Sequence, residues 1–324
     1  MWRAAKGWKK AGVALALSGL LLVGNGHAWA AAAETTEDGM WAFREAYLAM
    51  KQDDRVFKEM ISFFGPAFHA NLDMQGQMLR DGSLRLAGKL NFEATEEKKS
   101  KTTVVEVPFY VEQLPKDLAF YAQWENQWYK LILPGVPPQL ANSLKTTDAK
   151  ELAANMALVK SVKLLQENDK QRQMDIILDG GKVAEQIIKF SKETMQDVKP
   201  EEQQKQQEFL TRLSRVMQKM DVPLSWTVDK ETWRTVTVNL NLTELMRAYA
   251  QEVLQEAADG KTTVGEEERK ILESLGYYSE LHMYMTYLGV EAARLEVPQT
   301  VKASAQEVVL PKEIQGDDPL ATKK

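Results

Sequence analysis

Cysteine does not occur anywhere in the 324 residues. Its absence excludes disulfides, thiolate metal sites and thiol nucleophiles, and it excludes a bacterial lipoprotein, whose lipid is carried on a cysteine at the cleavage site. Histidine is nearly as scarce, with only His27, His69 and His282. His27 falls in the leader described below, so a three-histidine zinc site cannot be built from the other two, and a Ser-His-Asp triad would have to use one of them. His282 stands between Leu281 and Met283 and takes the face opposite theirs, while His69 follows a proline-directed bend, so both are expected at or near the surface. Basic residues are outnumbered 41 to 46, for a net charge of −5. With no concentrated basic patch to neutralise phosphates, no nucleic-acid partner is expected.

Long apolar runs are missing too, except in the first thirty residues. There Arg3, Lys6, Lys9 and Lys10 precede "AGVALALSGLLLVG", and "AWA" ends at the small Ala30. This succession marks residues 1–30 as a Sec-type signal peptide, expected to be cleaved after Ala30. The run is shorter than the ~20 residues that span a bilayer and no second one follows, so no transmembrane anchor is expected after leader removal. The expected location is secreted or periplasmic. The leader holds four basic residues and no acidic ones, which leaves 37 against 46 and a net charge of −9 over the other 294 residues. That length suffices for one large core or two small domains.

Periodicity organises the rest. "EDGMWAFREAYLAMKQ" spaces Met40, Trp41, Phe43, Tyr47 and Leu48 as a helix, and "DRVFKEMISFF" reads as a further helical turn or two before Gly65-Pro66. The period then changes to two. Leu72, Met74 and Met78, a turn at Asp81-Gly82, then Leu84, Leu86, Leu90 and Phe92 read as a hairpin. Val105, Val107, Phe109 and Val111 share one face of the next strand, where Pro108 points to an edge or a bulge. In "DLAFYAQWENQWYKLILPG" a three-residue loop sets Trp124 opposite Trp128. A long helical region capped by Asp148, "DAKELAANMALVKSVKLLQE", comes next, followed by a lone strand, "RQMDIILDG". "KVAEQIIKFSKETM" and the run opened by Pro200 are helices, and Thr243 caps another that stops at Gly260. "SELHMYMTYLG" and "AARLEVP" read as a last hairpin.

The hairpin of "VPLSWTVDKETWRTVTVNLNLTEL" brings a register question. A three-residue loop pairs Asp229 with Trp233 and sets Trp226 opposite Val236 and Leu224 opposite Val238, which keeps every apolar partner on one face. Trp233 then falls on the other face with Thr235, Thr237 and Asn239. It is either covered by a helix such as the one after Thr243 or exposed as a contact for ligand or partner.

Taken in order, "FYAQWENQWYKL", "MDIILDGGKVAEQIIK", the Asp229 and Thr232 turn with its returning strand, "HMYMTYLG" and "LEVP" resemble the LolA/LppX superfamily of extracytoplasmic lipoprotein and lipid carriers. The turn is similar to that family's D-x-x-T before a β run ending in a helix-starting segment. The resemblance implies an α+β fold, a curved antiparallel β-sheet forming an unclosed half-barrel, with helices covering the concave face over an apolar cavity. It implies a single LolA/LppX-like domain over residues 31–314, followed by a flexible polar tail at 315–324, and a lipid or acyl-chain ligand with no cofactor and no metal. An envelope protein partner is a further expectation.

Phe109, Phe120, Trp124, Trp128, Met283 and Met285 are the candidate cavity-lining residues, on the argument that period two places them on one face. Each has a structural alternative: methionines fill gaps in ordinary cores, and a cross-strand tryptophan pair steadies a hairpin. "LDGGK" lacks the rest of a phosphate-binding loop and reads as a turn into a helix. No carboxylate pair is singled out by an apolar setting, and no catalytic residue is assigned. The expected function is non-enzymatic binding or carriage of a lipid, lipoprotein acyl chain or other amphiphile. The alternatives are a non-catalytic interaction or sensing protein with a filled core, and a hydrolase of envelope glycans or lipids.

Overall fold

A computed structural model describes residues 37–52, 55–65, 68–79, 83–96, 101–115, 117–134, 152–153, 156–194, 200–288 and 295–308. The leader, Asp148 and the C-terminal tail lie outside them. Twelve strands form one sheet: β1 (Arg55–Phe64), β2 (Phe68–Met78), β3 (Leu84–Glu96), β4 (Lys101–Gln113), β5 (Asp117–Trp124), β6 (Gln127–Pro134), β7 (Val159–Glu167), β8 (Gln171–Asp179), β9 (Asp221–Asp229), β10 (Thr235–Asn241), β11 (Glu280–Tyr287) and β12 (Gln306–Val308). Six helices are described: α1 (Glu37–Gln52), α2 (Gly180–Thr194), α3 (Pro200–Met217), α4 (Thr243–Ala258), α5 (Glu266–Tyr278) and α6 (Gln299–Ser304).

The strand order is β12-β6-β5-β4-β3-β2-β1-β11-β10-β9-β8-β7. A meander runs from β1 outward to β6, a second comes inward from β7 to β11, and the two meet where β1 pairs with β11. Every pairing is antiparallel except that of β12 with β6. The edges β12 and β7 do not pair with each other, so the sheet is an unclosed half-barrel, the α+β class expected.

One row of paired residues crosses the apolar face: Phe109, Gly88, Met74, Glu59, Met285, Val238, Trp226 and Met174, from β4 to β8. A Cβ added at Gly88 would stand 2.7 Å from that of Met74 and 2.4 Å from the Asp73 carbonyl oxygen. Directly opposed Cβ atoms in an antiparallel pair are ordinarily about 4.5–5.5 Å apart, so the two strands converge on this side and the apolar face is the concave one. Gly76 serves the same bend, because the Phe57 ring occupies the place of its absent side chain.

Two apolar clusters fill the concave face. In one, Phe43 and Tyr47 of α1, Val183 and Ala184 of α2 and Met217 of α3 pack on Val162, Met174, Ile176, Trp226, Leu240 and Met283. The helices thus cover the β7 to β11 half. The other cluster is built of strand residues, among them Phe57, Met74, Leu86, Phe109, Val111 and Met285. Ile61 and Val238 touch both.

Four local expectations are corrected. Residues 55–64 are the central strand, not helix. Buried Glu59 and exposed Met60 break the apolar alternation there, so the hydrophobic spacing imitates a helical one. Residues 159–167 are strand β7, where bulges at Val159/Ser161 and Leu164/Gln166 put Val159, Val162 and Leu164 on one face at uneven spacing. "RQMDIILDG" is accordingly not lone, since β8 pairs with β7 and β9. Residues 295–298 form no strand with β11; the Leu295 N–H instead donates to the Gln77 side-chain oxygen at 2.7 Å. Pro108 falls just beyond the last residue that β5 pairs, an edge position within β4.

Both tryptophan hairpins also differ from expectation. Glu125 and Asn126, at φ 49° and 64°, make a two-residue turn, which suits the twist of the flanking strands. Trp124 therefore pairs with Gln127 and Trp128 with Gln123, so the two tryptophans lie on opposite faces. In the other hairpin the Asp229 N–H donates to the Arg234 carbonyl at 2.8 Å, closing a four-residue loop. A bulge between Thr235 and Thr237 supplies the extra residue that restores parity, and Trp226 faces Val238 while Leu224 faces Leu240. The apolar face survives with the register moved by two. Replacing Trp226, buried with its indole N–H donating to Thr235 Oγ1 at 3.1 Å, by alanine should cost about 3–5 kcal/mol in urea unfolding. Gly88→Ala should cost about 1–3 kcal/mol, since backbone as well as side chain must yield.

Candidate functional site

The concave face is apolar almost throughout, and a buried carboxyl interrupts it on the central strand. Glu59 follows Phe57 and precedes Ile61 on the same side of β1, with Met74 and Met285 as its cross-strand neighbours. It is 1% exposed, and neither carboxyl oxygen has a hydrogen-bond partner. Two other shielded carboxylates are paired. Glu256 accepts from Arg212 at 2.6 Å and from Arg215, and although burial pushes its pKa up, these donors outweigh burial and hold it below the usual range. Glu112 accepts from Lys302 at 2.6 Å and from the Tyr121 hydroxyl at 3.0 Å. Burial without a compensating donor instead pushes Glu59 up to about 8, which keeps it neutral at physiological pH. Arg55 lies on the same side of β1, but its Nε donates to the Met50 carbonyl at 2.8 Å.

Of the candidate lining residues, Phe109, Phe120 and Met285 come together in the strand-built cluster, the two rings stacked with centroids 5.9 Å apart. Met283 belongs to the helix-covered cluster with Trp226 and Leu240. Trp124 shares the concave face but stands 46% exposed at the turn. Trp128 is on the convex side, 5.6 Å from Tyr110, in a small cluster with Ala119, Tyr121, Val297 and Val301. A small pocket of about 140 Å³ on that side is lined by Arg85, Glu112, Leu295, Val297, Gln299 and Lys302, among others. Burial, then the hydrogen bond to Glu112, pushes the Tyr121 hydroxyl up to about 12, which fits a fixed anchor for the chain after β11. The volume is below the roughly 300–1,000 Å³ of ordinary ligand pockets.

Trp233 is covered by a helix, but by α1 rather than α4. Its left-handed backbone, φ 60°, turns the ring to the helix-covered cluster, where Trp41 meets it edge-on at 4.9 Å and the Arg172 guanidinium lies 4.4 Å from its centroid. Trp41 is itself 49% exposed. The Asp229 carboxylate accepts from the Thr232 N–H at 2.8 Å, the Thr232 hydroxyl at 2.7 Å and the Glu231 N–H at 3.1 Å. The Thr232 backbone bond chiefly holds its pKa low, so the D-x-x-T feature is a turn device. His69 is exposed and His282 pairs with Glu280 at 3.4 Å away from the concave face. Thr243 does not cap α4 by its side chain; its hydroxyl accepts from the Leu281 N–H at 3.0 Å and ties the helix to β11. Glu59 was the residue that sequence reasoning missed. Its signal was a carboxylate at the alternate position between Phe57 and Ile61, visible once the segment is read at period two.

Comparison with known proteins bears on this arrangement. Residues 71–264 match a family model described as a family of unknown function, DUF6612. The chain belongs to that family. The matched segment begins within β2 and runs past β10 but includes neither β1 nor β11, so Glu59 and Met285 lie outside it. No curated protein matches the chain. Among solved structures, LprF from Mycobacterium bovis is similar over 82% of this chain and 98% of its own, at 9% sequence identity and a TM-score of 0.39. No helix among the described residues is long and apolar enough to cross a membrane.

The Glu59 geometry has a pH signature. Its folded pKa, about 8, exceeds the ordinary 4.5, so below 4.5 both states hold the proton and stability is full. Between the two values only the folded state keeps it, and stability should fall by roughly 1 kcal/mol per pH unit until the loss is complete above the folded pKa. Glu59→Gln should remove this slope. Unfolding midpoints of the two proteins should diverge steadily from pH 5 to pH 8, whereas parallel profiles would contradict a buried neutral carboxyl.

Proposed function

We propose that this chain is an extracytoplasmic binding or carrier protein for a lipid, lipoprotein acyl chain or other amphiphile, a LolA/LppX-like domain in which the ligand lies against the concave face. The observation that carries the reading is the make-up of that face. Met74, Met78, Met174, Met283 and Met285 line it together with Phe109, spread over four strands from β2 to β11. Unbranched thioethers exchange rotamers at little cost, so such a face repacks around chains of varying length. The driving force is removal of apolar area from water, roughly 25 cal/mol per Å². In this reading the helices over β7 to β11 shift to admit the ligand, and Phe109, Phe120, Met283 and Met285 contact it with Trp124 at the open end. Trp128, on the convex side, is no part of it.

One observation favours the alternative, a non-catalytic interaction or sensing protein with a filled core. The same methionines are buried and already packed in the two clusters. Uptake of a fluorescent fatty acid separates the two readings. The purified protein should bind it with saturation, and Met285→Phe, which adds bulk beside Glu59, should weaken binding by about tenfold, equivalent to roughly 1.4 kcal/mol, while circular dichroism stays unchanged. Absence of saturable uptake for acyl chains of any length would favour the filled core.

A further inference from the structure

Resting on the carrier reading, we infer that Glu59 is the polar anchor of the concave face and that it selects amphiphiles bearing a primary amine. The carboxyl stands in the middle strand of the sheet, at the seam of two apolar clusters bridged by Ile61 and Val238, with both oxygens buried and unpartnered. A buried polar group is normally satisfied, and an unpaired one can take a hydrogen bond from a ligand. An ionised carboxylate accepts at both oxygens, and charge-assisted bonds from an ammonium are about twice as strong as neutral ones. An acyl carboxylate could share only the one proton of the neutral carboxyl and would leave a net negative charge buried, and an alcohol offers one neutral donor.

Among the described residues no donor takes the place. Arg55 is four residues along β1, roughly 13 Å by strand rise, and its Nε is engaged with Met50. Tyr287 on β11 is diagonal to Glu59 and pairs across to Phe57, with ring centroids 6.2 Å apart. Arg55 and Tyr287 are the titratable groups described beside Glu59 on this face; the facing residues of β2 and β11, Met74 and Met285, carry no charge. Those two thioethers are what a ligand must displace to reach the carboxyl. The ligand arrives as an alkylammonium, so the protonated carboxyl releases its proton to solvent and the resulting ion pair is neutral overall.

The test compares dodecylamine with dodecanol, each displacing a bound fluorescent fatty acid, in the wild-type protein and in Glu59→Gln. Wild type should prefer the amine by at least about tenfold. Glu59→Gln should abolish that preference while leaving dodecanol within about threefold of its wild-type affinity. Calorimetry at pH 6.5 in two buffers of different ionisation enthalpy gives a second readout on the unaltered protein: close to one proton released per amine bound, and none for dodecanol. Equal binding of amine and alcohol, a preference that survives Glu59→Gln, or amine binding without proton release would overturn the anchor and leave the carrier reading standing. Failure of the fatty acid, amine and alcohol all to bind the wild-type protein would overturn both.

Discussion

The antiparallel pairing of β1 with β2 on one side and β11 on the other makes a single sheet of two meanders, and the remaining architecture depends on it. Residues 68–134 extend the sheet from one edge of β1, and residues 159–287 build the other side. A slip of one residue in β1 would send Lys58 and Met60 to the concave face and Glu59 to solvent, because side chains alternate with a period of two. The apolar neighbours resist that slip. Phe57 lies over Gly76 and pairs with Tyr287, Ile61 pairs with Leu72 and Met283, and Phe63 pairs with Ala70 and Leu281.

That register forces a carboxyl into an apolar face. Its charged form would be strongly disfavoured there, so the group keeps its proton rather than paying for burial of a charge. A leucine or methionine would fit the surroundings at less cost. A glutamate here fits the proposed role as a polar anchor, which a hydrocarbon side chain cannot serve, and the methionines on either side supply the mobility such a role needs. The other shielded carboxylates stabilise joints instead: Glu256 ties α3 to α4, and Glu112 holds α6 against β4.

Much of the fold was legible because local signals agreed with the tertiary arrangement. The β2 and β3 hairpin, the strand pattern of β5 and β6, the start of α3 at Pro200 and the end of α4 at Gly260 all follow from turn residues and alternation. The failures have specific causes. At β1 a buried charge and an exposed methionine broke the alternation, and at β7 two bulges did so. At Trp124 two positive-φ residues closed a tighter turn than expected, and Trp128 left the concave face. The candidate site was half legible: Phe109, Phe120, Met283 and Met285 could be placed by period alone. Glu59 was hidden by the helical spacing of its segment, and its place in the core depends on pairing with β2 and with β11, the latter more than two hundred residues away in the chain.

The central claim is that the concave face holds an amphiphile. Mass spectrometry of an organic extract of the purified protein tests it most directly. The account predicts a co-purifying species with a long hydrocarbon chain, in near-stoichiometric amount and reduced in Met285→Phe. An extract free of any such species, from protein that also shows both apolar clusters fully protected in hydrogen exchange, would contradict it.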